Sequence, residues 1–254
     1  MSCGLIGKKS CGKYRNESFI RQIRSQNKDK KKEALSKTTS NGAQSISMLY
    51  QTLTTIPSEI RDFPEWHHGR KDYAVWVLRC EDNPAIQAKF KAARKYLDDF
   101  LLEPYDRQPH ITLFVCGFLV HEPQYNDDFT QTQLDAQIKV LEKADIKPFE
   151  IKVGGLNSFA STPFLTIHDP DEGILRLREV LSGGAREFRT TSYRPHLTVG
   201  LYAKAFHSQD ILARMAAFRS EPIHWRVEQV SLATYQATEV TGELSHRYSY
   251  RLRS

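Results

Sequence analysis

Two pentapeptides in this chain follow one pattern: Pro109-His110-Ile111-Thr112-Leu113 and Pro195-His196-Leu197-Thr198-Val199, 86 residues apart. With background residue usage, one match to Pro-His-apolar-Thr-apolar in a chain of this length has a chance of roughly one in a thousand. Two independent matches have a chance on the order of one in a million. The spacing has a chemical meaning. Side chains alternate along a strand, so His110 and Thr112 share one face while Ile111, Leu113 and Val115 take the other. In the second copy His196 and Thr198 share a face, against Leu197, Val199 and Leu201. Two imidazoles flanking one site suit phosphoryl transfer. Near neutral pH one takes a proton from the attacking oxygen while the other protonates the leaving oxygen. The two threonine hydroxyls can donate to non-bridging phosphate oxygens, where negative charge builds up. This scheme calls for no metal and no cofactor. The bland alternative is that each histidine merely begins a strand and hydrogen-bonds a neighbouring carbonyl. Packing alone gives no reason to repeat a polar His and Thr on one strand face, and the duplication argues for chemistry.

Other residues near the motifs are secondary candidates. By simple alternation Phe114 lies on the His110 face and Tyr202 on the His196 face, where either could line a cleft and stack a base; ordinary packing explains them equally well. Arg107, Tyr193 and Arg194 flank the motifs and are candidate contacts to a phosphate or a terminal nucleotide, against a bland role as solvated loop residues. Cys116 shares the His110 face but reads as a packing residue. His168 lacks the hydroxyl two residues on, where Pro170 stands, and reads as structural. His67 and His68 are adjacent without a third ligand at a recognisable spacing, which favours a surface pair over a metal site.

The elements that must position the motifs can be read in order. DYAVWVLRC (72–80) is a strand, and Asp82-Asn83-Pro84 then starts a helix over 84–102, with Ile86, Phe90, Ala93, Leu97 and Leu101 on one side. PHITLFVCGF (109–118) is a second strand, and 130–145 repeats helical spacing. The stretches 149–159 and 163–169 form a hairpin pair. The segment 171–184 is a helix with acids in its first turn and a Gly-Gly stop. A strand over 195–203 and a helix over 208–219 follow, then two closing strands, 223–236 and 247–254. The order β-α-β-α-β-β-α-β-α-β-β predicts an α+β fold of two similar halves, antiparallel or mixed sheets with helices outside. Residues 48–71, rich in aromatics and prolines, form an irregular strap, and 72–254 form the bilobal domain.

Charge is unevenly placed. The chain of 254 residues carries a net +6. Residues 1–37 hold eleven Lys/Arg against three acids, whereas the remainder holds 25 basic and 27 acidic residues. The polar leader, 1–47, cannot bury enough surface to offset its ordering entropy and is expected to be disordered. It reads as a solubilising or misassigned leader, or as a basic arm for RNA or another polyanion. With 40% hydrophobic residues a folded core is expected. No apolar run is long enough to span a bilayer, no secretory signal opens the chain, and the four cysteines lack C-x-x-C spacing. The expectation is a cytoplasmic protein, and a monomer.

The two His-x-Thr motifs, with the β-α-β order around each, resemble the 2H phosphoesterase superfamily, and within it the 2′-5′ RNA ligase-like (LigT-type) proteins. The resemblance covers residues 72–254, and Arg194-Pro195-His196-Leu197-Thr198 is close to the family's usual second motif. It implies a bilobal fold around a water-filled cleft and metal-independent phosphodiesterase chemistry on RNA ends or small nucleotides. A 2′,3′-cyclic phosphate would be opened to a 2′-phosphate, with 2′-5′ ligation as the reverse reaction. It assigns catalytic roles to His110 and His196 and phosphate-binding roles to Thr112 and Thr198, and leaves open which histidine is base and which is acid. Two other readings stand beside it: a non-catalytic RNA- or nucleotide-binding relative, and a phosphodiesterase for 2′-5′ oligonucleotides or cyclic dinucleotides.

Overall fold

Asn83 starts the first long helix in the predicted way: its side chain accepts from the backbone N–H groups of Ala85 and Ile86, with Pro84 in the first turn. The computed structural model describes residues 48–188 and 193–253; the basic leader, 1–47, lies outside them. Within the described residues the strands are β1 (Asp72–Arg79), β2 (His110–Val120), β3 (Asp128–Thr130), β4 (Phe149–Ser158), β5 (Pro163–His168), β6 (His196–Thr198), β7 (Ile223–Val227), β8 (Gln229–Gln236) and β9 (Ser245–Arg251). The helices are α1 (Pro64–His67), α2 (Pro84–Tyr96), α3 (Gln131–Lys143), α4 (Gly173–Gly184) and α5 (Ser208–Ala217). None is long and apolar enough to cross a membrane.

The strands form one sheet in the order β7-β4-β5-β6-β2-β1-β8-β9, with β3 pairing in parallel to the end of β2. The architecture is α+β, and the two sheets expected are halves of a single curled one. The halves meet where β6 lies antiparallel to β2, in register through the pair Ile111–Leu197. The curl follows from connectivity. Only Glu228 separates β7 from β8, yet the two strands lie toward opposite ends of the sheet, which must bend until those ends approach each other.

The helices cover one face. Ile86, Phe90 and Ala93 of α2, Leu134 and Leu141 of α3, Leu177 and Leu181 of α4, and Ile211 and Met215 of α5 join Trp76, Ile111, Leu113, Phe114 and Leu197 in the main core. The opposite face carries a smaller cluster around Tyr73, Val75, Val115 and Phe118.

Several boundaries differ from the sequence reading, each for a local reason. The expected strand 223–236 breaks at Glu228, where the chain changes ends of the sheet. The expected strand 195–203 is a strand only over His196–Thr198, because its neighbour β5 begins at Pro163, which accepts from the Val199 N–H; farther on Tyr202 makes an isolated bridge with Leu101. The helix expected over 84–102 ends at Tyr96 and passes into a 3-10 turn at Asp98–Phe100. Helix α4 begins at Gly173, after the acids read as its first turn; the Asp169 carboxylate accepts from the N–H groups of Gly173 and Ile174. Strand β2 continues past 118 to Val120, and within it Gly117 has a φ of +120°, which suits glycine. A Cβ there would meet the Asp127 carbonyl oxygen at 2.2 Å.

The segment before β1 spans both halves. Thr55, Ile56 and Ser58 donate backbone N–H groups to Phe206, Ala160 and Tyr202. Farther along, Arg70 pairs with Asp127 and Asp128 beside β3.

Candidate active site

Strand register assembles the two motifs. With Ile111 opposite Leu197 in an antiparallel pair, His110 falls opposite Thr198 and Thr112 opposite His196, an arrangement with local twofold character. Directly opposed residues have Cβ atoms about 5 Å apart, and diagonal neighbours such as the two histidines lie at about 7–8 Å. All four side chains are partly exposed, and all four line one cleft of about 240 Å³ on the sheet face away from the helices.

Each histidine is held in the same way. His110 Nδ1 lies 2.8 Å from the Gln108 carbonyl and His196 Nδ1 lies 2.8 Å from the Arg194 carbonyl, both two residues back. A carbonyl only accepts, so Nδ1 carries the proton and Nε2 is the nitrogen that titrates. The bland role foreseen for a strand-starting histidine is therefore present, and it fixes the tautomer that acid/base work needs. Among the described residues neither the Thr112 nor the Thr198 hydroxyl has a hydrogen-bond partner, so both donors remain for a ligand.

The surroundings of the two rings differ. Burial pushes the His110 imidazolium down to about 4, the Gln108 carbonyl opposes that shift, and the positive charge of Arg107 and the His196 ring add to it. Part of the His110 surface opens to the cleft, but protein surrounds the ring and drives the shift. His196 instead packs in T-shaped contacts with the rings of Phe159 and Phe164, at centroid distances of 4.9 and 5.4 Å.

The secondary candidates separate. Arg107 lines the cleft with its guanidinium over the Tyr235 ring at 4.2 Å; Nε donates to the Gly242 carbonyl and Nη2 to those of Glu239 and Val240. Arg194 is exposed and does not line the cleft. Tyr193 packs behind the motif strand, its hydroxyl donating to the Thr112 carbonyl at 2.9 Å.

Phe114 is fully buried in the main core, and Val115 faces the cleft in its place. A bulge is the cause. Val77 pairs with Thr112 and Trp76 with Phe114, so Leu113 is an extra residue and the alternation flips after it. The same flip places Cys116 in the core, where burial pushes its thiol pKa well up. Tyr202 is also fully buried, its hydroxyl 2.6 Å from Ser158 Oγ; β6 has ended by then, and Leu201 reaches the cleft. His168 is exposed at the end of β5. His67 and His68 lie at the end of α1, where His67 meets Asp62 and His68 stacks on Tyr125. Among the described residues no cluster of three or more His, Cys, Asp or Glu is placed to hold a metal.

Sequence reasoning missed the rest of the cleft wall. Ser58, Glu59 and Phe63 come from the segment before β1, Tyr105 from the loop before β2, Phe159 from the β4–β5 hairpin and Phe188 from the end of the α4 connection. Their positions depend on how the halves meet, and only the pairing of aromatic residues across the hairpin was a visible signal.

Comparison with known proteins bears on the whole arrangement. No curated protein matches the chain. Among solved structures, the apo form of Escherichia coli LigT aligns with a TM-score of 0.50 at 14% identity, covering 73% of this chain and 100% of that one. LigT complexed with NADP+ gives 0.48 at 14% identity with the same coverage. TT0787 of Thermus thermophilus gives 0.45 at 17%, covering 71% of this chain and 98% of its own. At these identities the likeness to apo LigT speaks to the fold. A sequence profile described as the 2′-5′ RNA ligase superfamily matches residues 82–239, a span that includes both His-x-Thr motifs. By that match, over more than half of its length, this chain belongs to the 2′-5′ RNA ligase superfamily.

Proposed function

We propose that the protein is a phosphodiesterase that opens 2′,3′-cyclic phosphates on RNA ends or nucleotides by two-histidine acid/base catalysis. The observation that carries this reading is the cross-strand square of His110, Thr112, His196 and Thr198. Both imidazoles are fixed by Nδ1, and among the described residues both hydroxyls lack a protein partner. In the forward direction a water attacks phosphorus. His110 Nε2, neutral at pH 7 because burial lowers its proton affinity, takes the water proton. The bond from phosphorus to the 3′ oxygen breaks, and protonated His196 delivers its Nε2 proton to that oxygen. The products are a 2′-phosphate and a free 3′-hydroxyl, and proton exchange with solvent resets both rings. Thr112 and Thr198 donate to the non-bridging oxygens as charge builds on them. Arg107 remains a candidate phosphate contact through Nη1. With a 5′-hydroxyl attacking in place of water, the same two proton transfers and the same loss of the 3′ oxygen from phosphorus join ends through a 2′-5′ linkage.

The test is incubation with a 2′,3′-cyclic mononucleotide in the presence of EDTA, with product identification. Formation of the 2′-phosphate supports the reading, and no turnover, or turnover lost with EDTA, overturns it. A parallel panel of cyclic-phosphate RNA ends, 2′-5′ oligoadenylates and cyclic dinucleotides separates this substrate class from the two other diesters.

A further inference from the structure

Strand β2 has an interrupted outer edge. Along that edge β6 is registered at Ile111 and β3 at Phe118–Val120, and among the described residues no strand pairs with it in between. The backbone groups of that stretch still need partners. The Tyr193 hydroxyl donates to the Thr112 carbonyl, Arg178 Nη1 donates to the Leu113 carbonyl, and the Val115 N–H donates to Glu187 Oε1 at 3.1 Å. Arg178 Nη2 also donates to Glu187 Oε2 at 2.6 Å, with the two side chains only 15% and 11% exposed. The Arg178 guanidinium lies over the Tyr193 ring at 3.7 Å. Among the described residues these side chains, with the Phe188 N–H donating to the Val115 carbonyl, stand where a strand would at the bulge that decides which β2 residues face the cleft.

The same group contacts the first motif and adjoins the second in sequence. On one side it holds the carbonyls of Thr112 and Leu113. On the other, Tyr193 precedes Arg194, whose carbonyl fixes His196 Nδ1. We infer that Arg178, with Glu187, is a positioning residue that couples the two His-x-Thr motifs, keeping the Thr112 hydroxyl and the His196 ring in mutual register. This rests on the phosphodiesterase reading above. The role needs arginine in particular. Its planar face stacks on Tyr193 while separate nitrogens reach Leu113 and Glu187, and a lysine ammonium cannot do all three.

The experiment is steady-state kinetics on a 2′,3′-cyclic mononucleotide for wild type, Arg178→Met, Arg178→Lys, Glu187→Gln and Tyr193→Phe, with thermal unfolding of each. Displacement of a reacting group by about 1 Å lowers rate by about a hundredfold, so kcat should fall about tenfold to a hundredfold in both Arg178 variants while KM stays within about threefold. Lysine should not rescue. Tyr193→Phe removes one hydrogen bond, and its smaller kcat loss keeps the test open if an Arg178 variant does not fold. Combined with Thr112→Val, the Arg178→Met loss should shrink, because its route through Thr112 is already gone. Folded variants with wild-type kcat, rescue by lysine, or losses that simply multiply with Thr112→Val overturn the inference alone. An inactive wild type overturns the phosphodiesterase reading and the inference with it.

Discussion

The two copies of the motif share a sequence pattern and a histidine–carbonyl bond, but their supports differ. The first sits on the 11-residue strand β2, paired along β1 and walled in by protein. Its lead-in is tied to the connection between β8 and β9: Arg107 donates to the carbonyls of Glu239, Val240 and Gly242, and the Gln108 side chain accepts from the Leu244 N–H. The second sits on the three-residue strand β6, flanked by two phenyl rings, and its lead-in residue Arg194 is exposed. Burial lowers the proton affinity of His110, so in the proposed mechanism the division between base and acid would come from the support and not from the motif itself.

The largest expected effects probe what the copies share. His110→Ala and His196→Ala should each lower kcat on a cyclic mononucleotide by about a hundredfold or more without unfolding the domain. Near-wild-type turnover in either variant would break the pairing of the two copies. Thr112→Val and Thr198→Val should cost about tenfold to a thousandfold, mainly in kcat. Tolerance of Val at both positions would move the phosphate contacts to Arg107.

The next two predictions probe the difference. If His110 is the base, the acid limb of kcat/KM should fall near pH 4, the value to which burial lowers it, and not near 6.5. An acid limb at the ordinary histidine value would reverse the assignment. The same shift predicts a stability effect. The unfolded chain binds this proton more tightly than the folded one, so stability should be unaffected above about pH 6.5 and should fall as pH drops from there through about 4. His110→Asn should flatten that part of the profile in urea titrations. The smallest effect concerns the flanking arginines. Arg107→Met should cost about 1 kcal/mol of stability for its lost bonds to carbonyls, and Arg194→Met should stay within about 0.5 kcal/mol. Equal losses would mean that the second lead-in is as firmly tied as the first.

The order of elements and the four motif residues were legible because both rest on local pattern. His-x-Thr spacing selects one strand face, Asn83-Pro84 starts a helix, and the Phe149–His168 hairpin needs only its own alternation. What failed was the extension of alternation through interruptions. Phe114 and Tyr202 were placed on the cleft side by counting in twos, and one bulge at Leu113 and the end of β6 at Thr198 invert that count. The bulge at Leu113 has no glycine or proline at its site to announce it. The split of 223–236 at Glu228 was hidden for a related reason: both pieces are strands, and only the closure of the sheet separates them.

That one-residue passage at Glu228 has a mechanical consequence. The halves are joined at the Ile111–Leu197 pair, again through the covalent chain at Glu228, and a third time by the segment running from Thr55, tied to Phe206, to Arg70, tied to Asp127. Two joints leave a body free to turn about the line between them; a third off that line removes the turn. These joints predict a cleft that keeps its width, with backbone shifts on loading within about 1 Å.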